Sequence, residues 1–329
     1  MKKYLIRKLG VYMLTFMVAI TLNWLIPRLM PGDPIISMVS KFARKAENAK
    51  RVYEDLTKRF EFDKPMVQQY FIYLKNLAAG NLGQSLINYP VKVIDRIKAT
   101  MPFTLIVTLP ALILSFLIGN RLGAAAARNK KLDDRILPFW YVLSSTPYLW
   151  LGILLVYFLA TGLRIFPQSK AFGGLIPPKV YSFRFILDYI HHWVLPFLSL
   201  FIVQLGGWAV GMRNMIIYEL EADYSRYLKT LGASDKLIRR YAYKNAQLPQ
   251  ISGLPVQLGM LVGGAITTEM VFAYPGIGLE LGTAIMRQDY FLVQGCFLII
   301  VLIVLVGNFL LDILYAVLDP RVRLSMIGD

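Results

Sequence analysis

The clearest candidates for chemistry lie in residues 219–249, where basic side chains recur at regular steps between two long apolar segments. Lys236, Arg240 and Lys244 are four residues apart, which places them on one side of a predicted helix. The neighbouring side is apolar and contains Leu237, Ile238, Tyr241 and Ala242. Such a helix can dock one side on an apolar surface while the other side meets acidic groups.

A sharp turn is predicted in the middle of this segment. Gly232 can adopt the left-handed conformation that ends a helix, and Ser234 can cap a second helix that begins at the acidic Asp235. The first helix places apolar residues at three- and four-residue steps, namely Leu220, Tyr224, Tyr227, Leu228 and Leu231. Residues 219–249 are therefore predicted to form a helix-turn-helix, called the helical hairpin below.

Ionisable side chains within apolar segments are a second group of candidates, because charge at membrane depth is costly. Arg213, Glu269 and Asp312 lie near the ends of long apolar segments. Each could contact a solute or a gate, and each could equally make an interhelical hydrogen bond. We expect no catalytic site and no metal site, because the chain lacks a G-x-x-x-x-G-K-[ST] phosphate loop and an H-E-x-x-H pattern and has one cysteine, Cys296.

Composition places these residues in a membrane protein. The chain has 329 residues, is 56% hydrophobic and has a mean hydropathy of +0.51, against about 45–50% apolar residues in soluble domains. Stretches of about twenty apolar residues are needed to cross a bilayer. Six are predicted, at about 9–29, 102–127, 136–160, 193–217, 251–273 and 291–318.

The distribution of basic residues predicts the orientation. Counting those near the span ends, eighteen lysines and arginines flank the spans on the side of both termini and the hairpin, against five in the 3–4 and 5–6 connections. Both termini and the hairpin are therefore predicted to be cytoplasmic. This topology accounts for most of the net charge of +16, so we expect no nucleic-acid partner.

The segment 31–100 is predicted to lie outside and to be helical. One amphipathic helix is indicated between Phe42 and Phe60, and a second between Met66 and Leu77 after Pro65. A third short helix, from Val91 to Lys98, is predicted at the membrane surface. The chain thus divides into 1–30 (N-terminus and first span), 31–100 (helical insertion), 101–318 (membrane core with the hairpin) and 319–329 (cytoplasmic tail).

Glycines four residues apart predict close packing between spans, since small residues let helix backbones approach. Three pairs follow this spacing, namely Gly119 with Gly123, Gly207 with Gly211, and Gly259 with Gly263. A tight all-α bundle is therefore expected.

The sequence resembles a known family, the B-type permease subunits of oligopeptide, dipeptide and nickel ABC importers. The likeness runs nearly end to end and rests on PGDP at 31–34, GNLGQS at 80–85, SSTPYLWLGILL at 144–155, DYSRYLKTLGAS at 223–234, KNAQLP at 244–249, GGAITTEMVFAYPGIG at 263–278 and DILYAVLDPRVR at 312–323. The chain departs from the family's EAA signature, whose first three places read Arg226, Tyr227 and Leu228. These bulkier residues alter the expected docking contacts.

The resemblance implies a permease that works by alternating access at the cytoplasmic membrane. Its implied partners are a second, homologous permease subunit, two cytoplasmic ATPase subunits that bind ATP and Mg, and an extracellular solute-binding protein. The residues implied to couple to the ATPases are Asp223, Tyr224, Arg226, Tyr227, Gly232, Ala233, Ser234, Lys236, Arg240, Asn245 and Pro249. The candidates for the pathway or its gate are Arg213, Glu269, Tyr274, Pro275, Gly276 and Asp312. No cofactor is expected in this chain itself.

The solute is left open by the sequence. Oligopeptides and short oligosaccharides are favoured over a nickel or other metal chelate, because the spans contain no cluster of His, Asp and Cys. An ion-coupled secondary transporter is the rival mechanism, and it predicts acidic residues at mid-membrane and inverted repeats. A membrane scaffold is a third reading, and it would need no docking hairpin.

Overall fold

The computed structural model describes residues 2–29, 32–42, 46–174 and 182–318. Pro31 of the PGDP motif and the predicted tail 319–329 lie outside these ranges. Across the described residues the chain is built from helices without a named strand. The helices are α1 (Lys2–Leu29), α2 (Pro34–Phe42), α3 (Ala46–Arg59), α4 (Met66–Ala78), α5 (Val93–Ala126), α6 (Lys130–Ser145), α7 (Tyr148–Leu155), a π-helix (Val156–Gly162), α8 (Phe183–Glu221), α9 (Asp223–Thr230), α10 (Asp235–Val271), α11 (Ile277–Met286) and α12 (Tyr290–Leu318).

Five of the described helices are long and apolar enough to cross a membrane, namely those at Ile6–Leu29, Val93–Ala126, Phe183–Glu221, Asp235–Val271 and Tyr290–Tyr315. The predicted third span, 136–160, is broken instead: α6 and the α7–π-helix segment meet at an angle of 102°. Thr146 is extended there, as favoured by Pro147, which follows it and disfavours the helical conformation. If this bent pair forms one span, the total is the predicted six.

The chain forms two compact units. Unit 1 contains residues 103–274 with the ends of the chain, up to residue 6 and from residue 306. In this unit α8 packs against both α6 and α10. Its core is apolar and includes Leu200, Leu261 and Phe272. Helix α8 is therefore the central element around which the hairpin and the bent pair are arranged.

Close packing at glycine holds for one predicted pair and not for another. A side chain at Gly119 would lie 2.7 Å from Cβ of Trp208, and one at Gly123 would overlap the carbonyl oxygen of Ala209. Both glycines thus bring α5 close to α8, as predicted. A Cβ added at Gly259 or Gly263 on α10 would meet no atom within 4 Å outside its own helix, so their face of α10 is open.

Unit 2 contains residues 7–102 and 275–305. The amphipathic helices predicted in 31–100 correspond to α3 and α4, although the first begins at Ala46 rather than Phe42, which belongs to α2. The short helix predicted from Val91 is the first part of α5, because nothing interrupts the helix after Val93. A small core in this unit surrounds Met38, Leu86 and Tyr290.

Candidate functional site

The helical hairpin has the turn that its sequence predicts. Helix α9 ends at Thr230, and Gly232 has a φ of 78°, in the left-handed region. The backbone amide of Ala233 donates to the carbonyl oxygen of Leu228 at 3.0 Å. The Ser234 side chain then accepts a hydrogen bond from the amide of Leu237 and caps α10. The turn is therefore fixed by local contacts on both sides of Gly232.

The side chains of the hairpin divide into a buried inner set and an exposed outer set. Ser225, Ile238 and Ala242 are buried, and Tyr224 and Leu228 are half-buried. By contrast, Tyr227 and Leu231 are each 64% exposed, although the spacing assigned them to the same face as Tyr224 and Leu228. The exposed apolar residues form the surface called the hairpin tip below, namely Tyr227, Leu231, Leu237 and Tyr241.

Basic side chains surround the hairpin tip. Lys236, Arg240 and Lys244 are exposed, as are Arg226 and Lys229 on α9. Exposed apolar residues on α1 or α5 can be covered by lipid, but residues interleaved with this many cations cannot enter hydrocarbon. An exposed apolar patch with a charged rim is typical of a protein docking surface. Its chemistry fits a partner with an apolar cleft and acidic edges.

Glu219 is a hairpin residue that the sequence analysis did not single out. Its carboxylate oxygen Oε2 accepts hydrogen bonds from the Tyr224 hydroxyl at 2.8 Å and from Nδ2 of Asn245 at 3.3 Å. Burial raises the pKa of Tyr224, and its hydrogen bond to Glu219 raises it further. Tyr224 and Asn245, both predicted hairpin residues, are thus brought to one carboxylate by the fold.

Helix α10 joins the hairpin to the opposite end of unit 1. The sequence pattern predicts the second hairpin helix and the span at 251–273 as separate elements. The structure shows one helix of 37 residues from Asp235 to Val271, with Pro249 and Pro255 inside it. At about 1.5 Å per residue this helix is about 55 Å long. A displacement at the hairpin can therefore reach residues near Val271 through one element.

Glu269 and Tyr274 lie at that far end, in a buried cluster. Glu269 is 2% exposed and accepts a hydrogen bond from the Thr104 hydroxyl on α5 at 2.6 Å. Tyr274 is fully buried, and its hydroxyl lies 3.0 Å from that of Tyr189 on α8. Phe103 packs edge-on against the Tyr274 ring. The cluster therefore fastens the end of α10 to two other helices.

Arg213 makes an interhelical ion pair in this structure. Its guanidinium donates from Nε to Oδ1 of Asp133 at 2.9 Å and from Nη2 to Oδ2. Asp133 lies in the first turn of α6, so the pair connects α6 to α8. Asp312 is half-buried on α12.

Pro275 and Gly276 form the turn before α11, with Gly276 extended at its N-cap. The structure thus groups the predicted hairpin residues at one end of α10, and Glu269 with Tyr274 at the other. Arg213 and Asp312 belong to neither group.

Comparison with known proteins places the chain among transport proteins. Residues 119–324 match the family described as the binding-protein-dependent transport system inner membrane component. The di/tripeptide transport system permease protein DppB of Pseudomonas aeruginosa is 32% identical, over 98% of this chain and 99% of that protein. The oligopeptide transport system permease protein AppB of Bacillus subtilis is 28% identical over 98% of this chain and 100% of that protein. The dipeptide transport system permease protein DppB of Lactococcus lactis is 30% identical with the same coverage.

Proposed function

Because this chain belongs to the family of inner membrane components of binding-protein-dependent transport systems, we propose that it is a permease subunit of an ATP-driven peptide importer. It would form the pathway with a second, homologous permease. Two cytoplasmic ATPase subunits would bind ATP and Mg and supply the energy. A solute-binding protein would deliver the solute from outside.

The hairpin tip is the observation that carries this proposal. Tyr227 and Leu231 are exposed on a surface that also carries exposed basic side chains. Burying two such side chains against a partner is favourable by about 1.5–3 kcal/mol each. We infer that the tip, with Gly232 at its turn, is the surface on which an ATPase subunit docks.

Coupling would run along α10. Closure of the ATPases on ATP would displace the hairpin tip, and the continuous helix would carry that displacement toward Glu269 and Tyr274. The hydrogen bonds of Glu269 with Thr104 and of Tyr274 with Tyr189 would then have to break or move with it. Pro249 and Pro255 remove two backbone donors from the helix and provide places where it can bend. In this proposal Glu269 and Tyr274 act at the gate, and Pro275 and Gly276 form the turn that follows it.

The orientation and partner surfaces follow from the same proposal. With the hairpin cytoplasmic, both termini are cytoplasmic and the segment 31–100 lies outside, where it would face the solute-binding protein. The open face of α10 around Gly259 and Gly263 supports a second permease as neighbour, because Val256 and Met260 beside them are also exposed. Small residues there would allow close approach.

Peptides are the proposed solutes. The three relatives above carry names that specify di/tripeptide, dipeptide or oligopeptide transport. The three matches each cover 98% of this chain, which supports a peptide over an oligosaccharide or a metal chelate.

Uptake into sealed vesicles tests the function. The permease pair, its ATPases and the binding protein are reconstituted, and entry of a labelled dipeptide is followed with and without ATP. We expect uptake that requires ATP, stops with vanadate and disappears when the catalytic glutamate of the ATPase is replaced. Competition by excess unlabelled dipeptide, and none by maltotriose, would support the peptide assignment. Uptake driven by an ion gradient without ATP would overturn the proposal.

A further inference from the structure

Three helices of unit 1 meet at Glu219, in the last turn of α8. The Tyr224 hydroxyl from α9 and the Asn245 amide from α10 both donate to the same carboxylate oxygen, Oε2. The hydroxyl of Ser225 also donates to the backbone carbonyl oxygen of Glu219, at 2.7 Å. One residue therefore receives hydrogen bonds at its side chain and its backbone from both arms of the hairpin.

This arrangement differs from ordinary local capping. The carbonyl groups in the last turn of a helix lack intrahelical partners, so the bond from Ser225 satisfies one of them. The carboxylate contacts, however, join residues that are 26 positions apart, Glu219 and Asn245. Hydrogen bonds to a charged acceptor are stronger than those between neutral groups. The carboxylate thus connects α8 to α10 at the point where the hairpin begins.

The short helix α9 depends on this contact more than its neighbours do. It has eight residues, and Ala222 at its N-cap makes no side-chain capping bond. A helix of this length is marginal without tertiary support. The inner contacts of α9 include Tyr224 and the buried Ser225, and both bond to Glu219. If that support is lost, a force applied to Tyr227 and Leu231 would rotate or unwind α9 instead of moving α10.

We propose that Glu219 is a positioning residue for energy coupling. It holds α9 to α8 and α10, so that the hairpin moves as one body when a partner pushes on its tip. This inference rests on the proposed function, because it concerns the transfer of motion from an ATPase. In this role Glu219 contacts neither solute nor nucleotide, but it keeps the number of solutes moved per ATP high.

The test measures that ratio in the reconstituted full complex. Replacement Glu219→Ala removes the acceptor for both donors, and we expect uptake per ATP hydrolysed to fall about tenfold, the size expected when about 1.4 kcal/mol of hydrogen bonding is lost. Glu219→Gln keeps an acceptor oxygen and should retain most of the wild-type ratio. Glu221→Ala is the matched control, because Glu221 is an exposed glutamate two residues away, and it should leave the ratio unchanged.

Two further variants separate positioning from simple instability. Tyr224→Phe and Asn245→Ala each remove one donor and should lower the ratio partially. Because both act through one carboxylate, the pair combined with Glu219→Ala should be no worse than Glu219→Ala alone. If Glu219→Ala does not assemble, Tyr224→Phe, which loses only a hydroxyl, carries the test by itself.

The outcomes distinguish this inference from the function on which it rests. A wild-type ratio in Glu219→Ala or in Tyr224→Phe, with ATP-driven uptake intact, would overturn the positioning role and leave the importer proposal standing. Glu219→Gln as impaired as Glu219→Ala would also contradict it, since the acceptor geometry would then not matter. Absence of ATP-driven uptake by the wild-type complex would instead contradict the importer proposal.

Discussion

Two carboxylates organise two regions of this molecule in different ways. In unit 2, Asp289 is fully buried and accepts from the Ser85 hydroxyl and from the backbone amides of Leu86, Ile87 and Leu292. In unit 1, Glu219 is half-buried and its carboxylate accepts from two side chains. Each carboxylate fastens distant segments, but only Asp289 is surrounded on every side.

The difference matches what surrounds each residue. The loop 85–87, which donates hydrogen bonds to Asp289, adjoins a small apolar core that contains Leu86 and Tyr290. Around Glu219 the apolar side chains are shared between an inner set and the exposed hairpin tip. Burial on all sides produces a rigid anchor, whereas the hairpin keeps part of its apolar surface for a partner. A region can therefore be well ordered by hydrogen bonds and still leave part of its apolar surface uncovered.

The largest effect, a loss of stability, is expected on replacing Asp289. Replacement Asp289→Ala leaves buried backbone amides and the Ser85 hydroxyl without an acceptor, so we expect a loss of about 3 kcal/mol or more in stability. Thermal unfolding of the purified protein in detergent measures it. Asp289→Asn keeps one acceptor oxygen and should lose less. Unchanged unfolding of Asp289→Ala would show that this region is not the rigid one.

Gly232 is the next position, because its turn determines the direction of the hairpin. Its φ of 78° costs about 1–2 kcal/mol for a residue with a side chain, although a Cβ would meet no atom within 4 Å. We expect Gly232→Val to uncouple ATP hydrolysis from uptake. Gly232→Asn should retain more coupling, because asparagine tolerates the left-handed conformation. Equal coupling in Gly232→Val and wild type would refute the role of the turn.

The hairpin tip offers a smaller, more specific effect. Replacing Tyr227 and Leu231 by Ser should reduce ATPase recovery in co-purification about tenfold, since binding loses apolar burial, and should leave unfolding unchanged. Tyr141→Ser is the control, because Tyr141 on α6 is 46% exposed and lies outside the hairpin. Full ATPase recovery with the double variant would mean that the tip is not the docking surface.

The smallest effect concerns a hydrogen bond in the segment 31–100. The Tyr53 hydroxyl donates to Asp33 at 2.6 Å, and this bond raises the pKa of Tyr53 above its ordinary value of 10.0. The resulting stabilisation is complete below about pH 10 and is lost as the pH rises through the raised value. The stability of Tyr53→Phe, measured by unfolding, should therefore fall less at alkaline pH than the stability of the wild type. Identical alkaline profiles would contradict this assignment.

Local signals predicted much of the fold. Glycine and serine placed the turn of the hairpin at Gly232 and its cap at Ser234, and apolar length located the spans. Pro147 signals a bend in the third span, but the apolar run on both sides of it does not show that the bend reaches 102°. Periodicity alone assigned Tyr227 and Leu228 to one face, because it reports angular position and not burial.

Long-range contacts explain what the sequence could not show. Asp289 and Ser85 are 204 positions apart, and Glu219 and Asn245 are 26 apart. No spacing rule connects either pair. Glu269 was identified as a costly charge in a span, but no pattern in the sequence indicates that it accepts a hydrogen bond from Thr104 on α5. The roles proposed for the gate residues therefore depend on the structure as well as the pattern.

The most direct test of the central claim is a cysteine at the hairpin turn, Ser234→Cys. The native Cys296 is buried, so a membrane-impermeant maleimide reports mainly on the new thiol. We predict that Ser234→Cys crosslinks to an ATPase subunit through a short reagent, and that it is shielded in sealed right-side-out vesicles. Labelling from the outside, with no crosslink to an ATPase, would contradict the docking role of the hairpin.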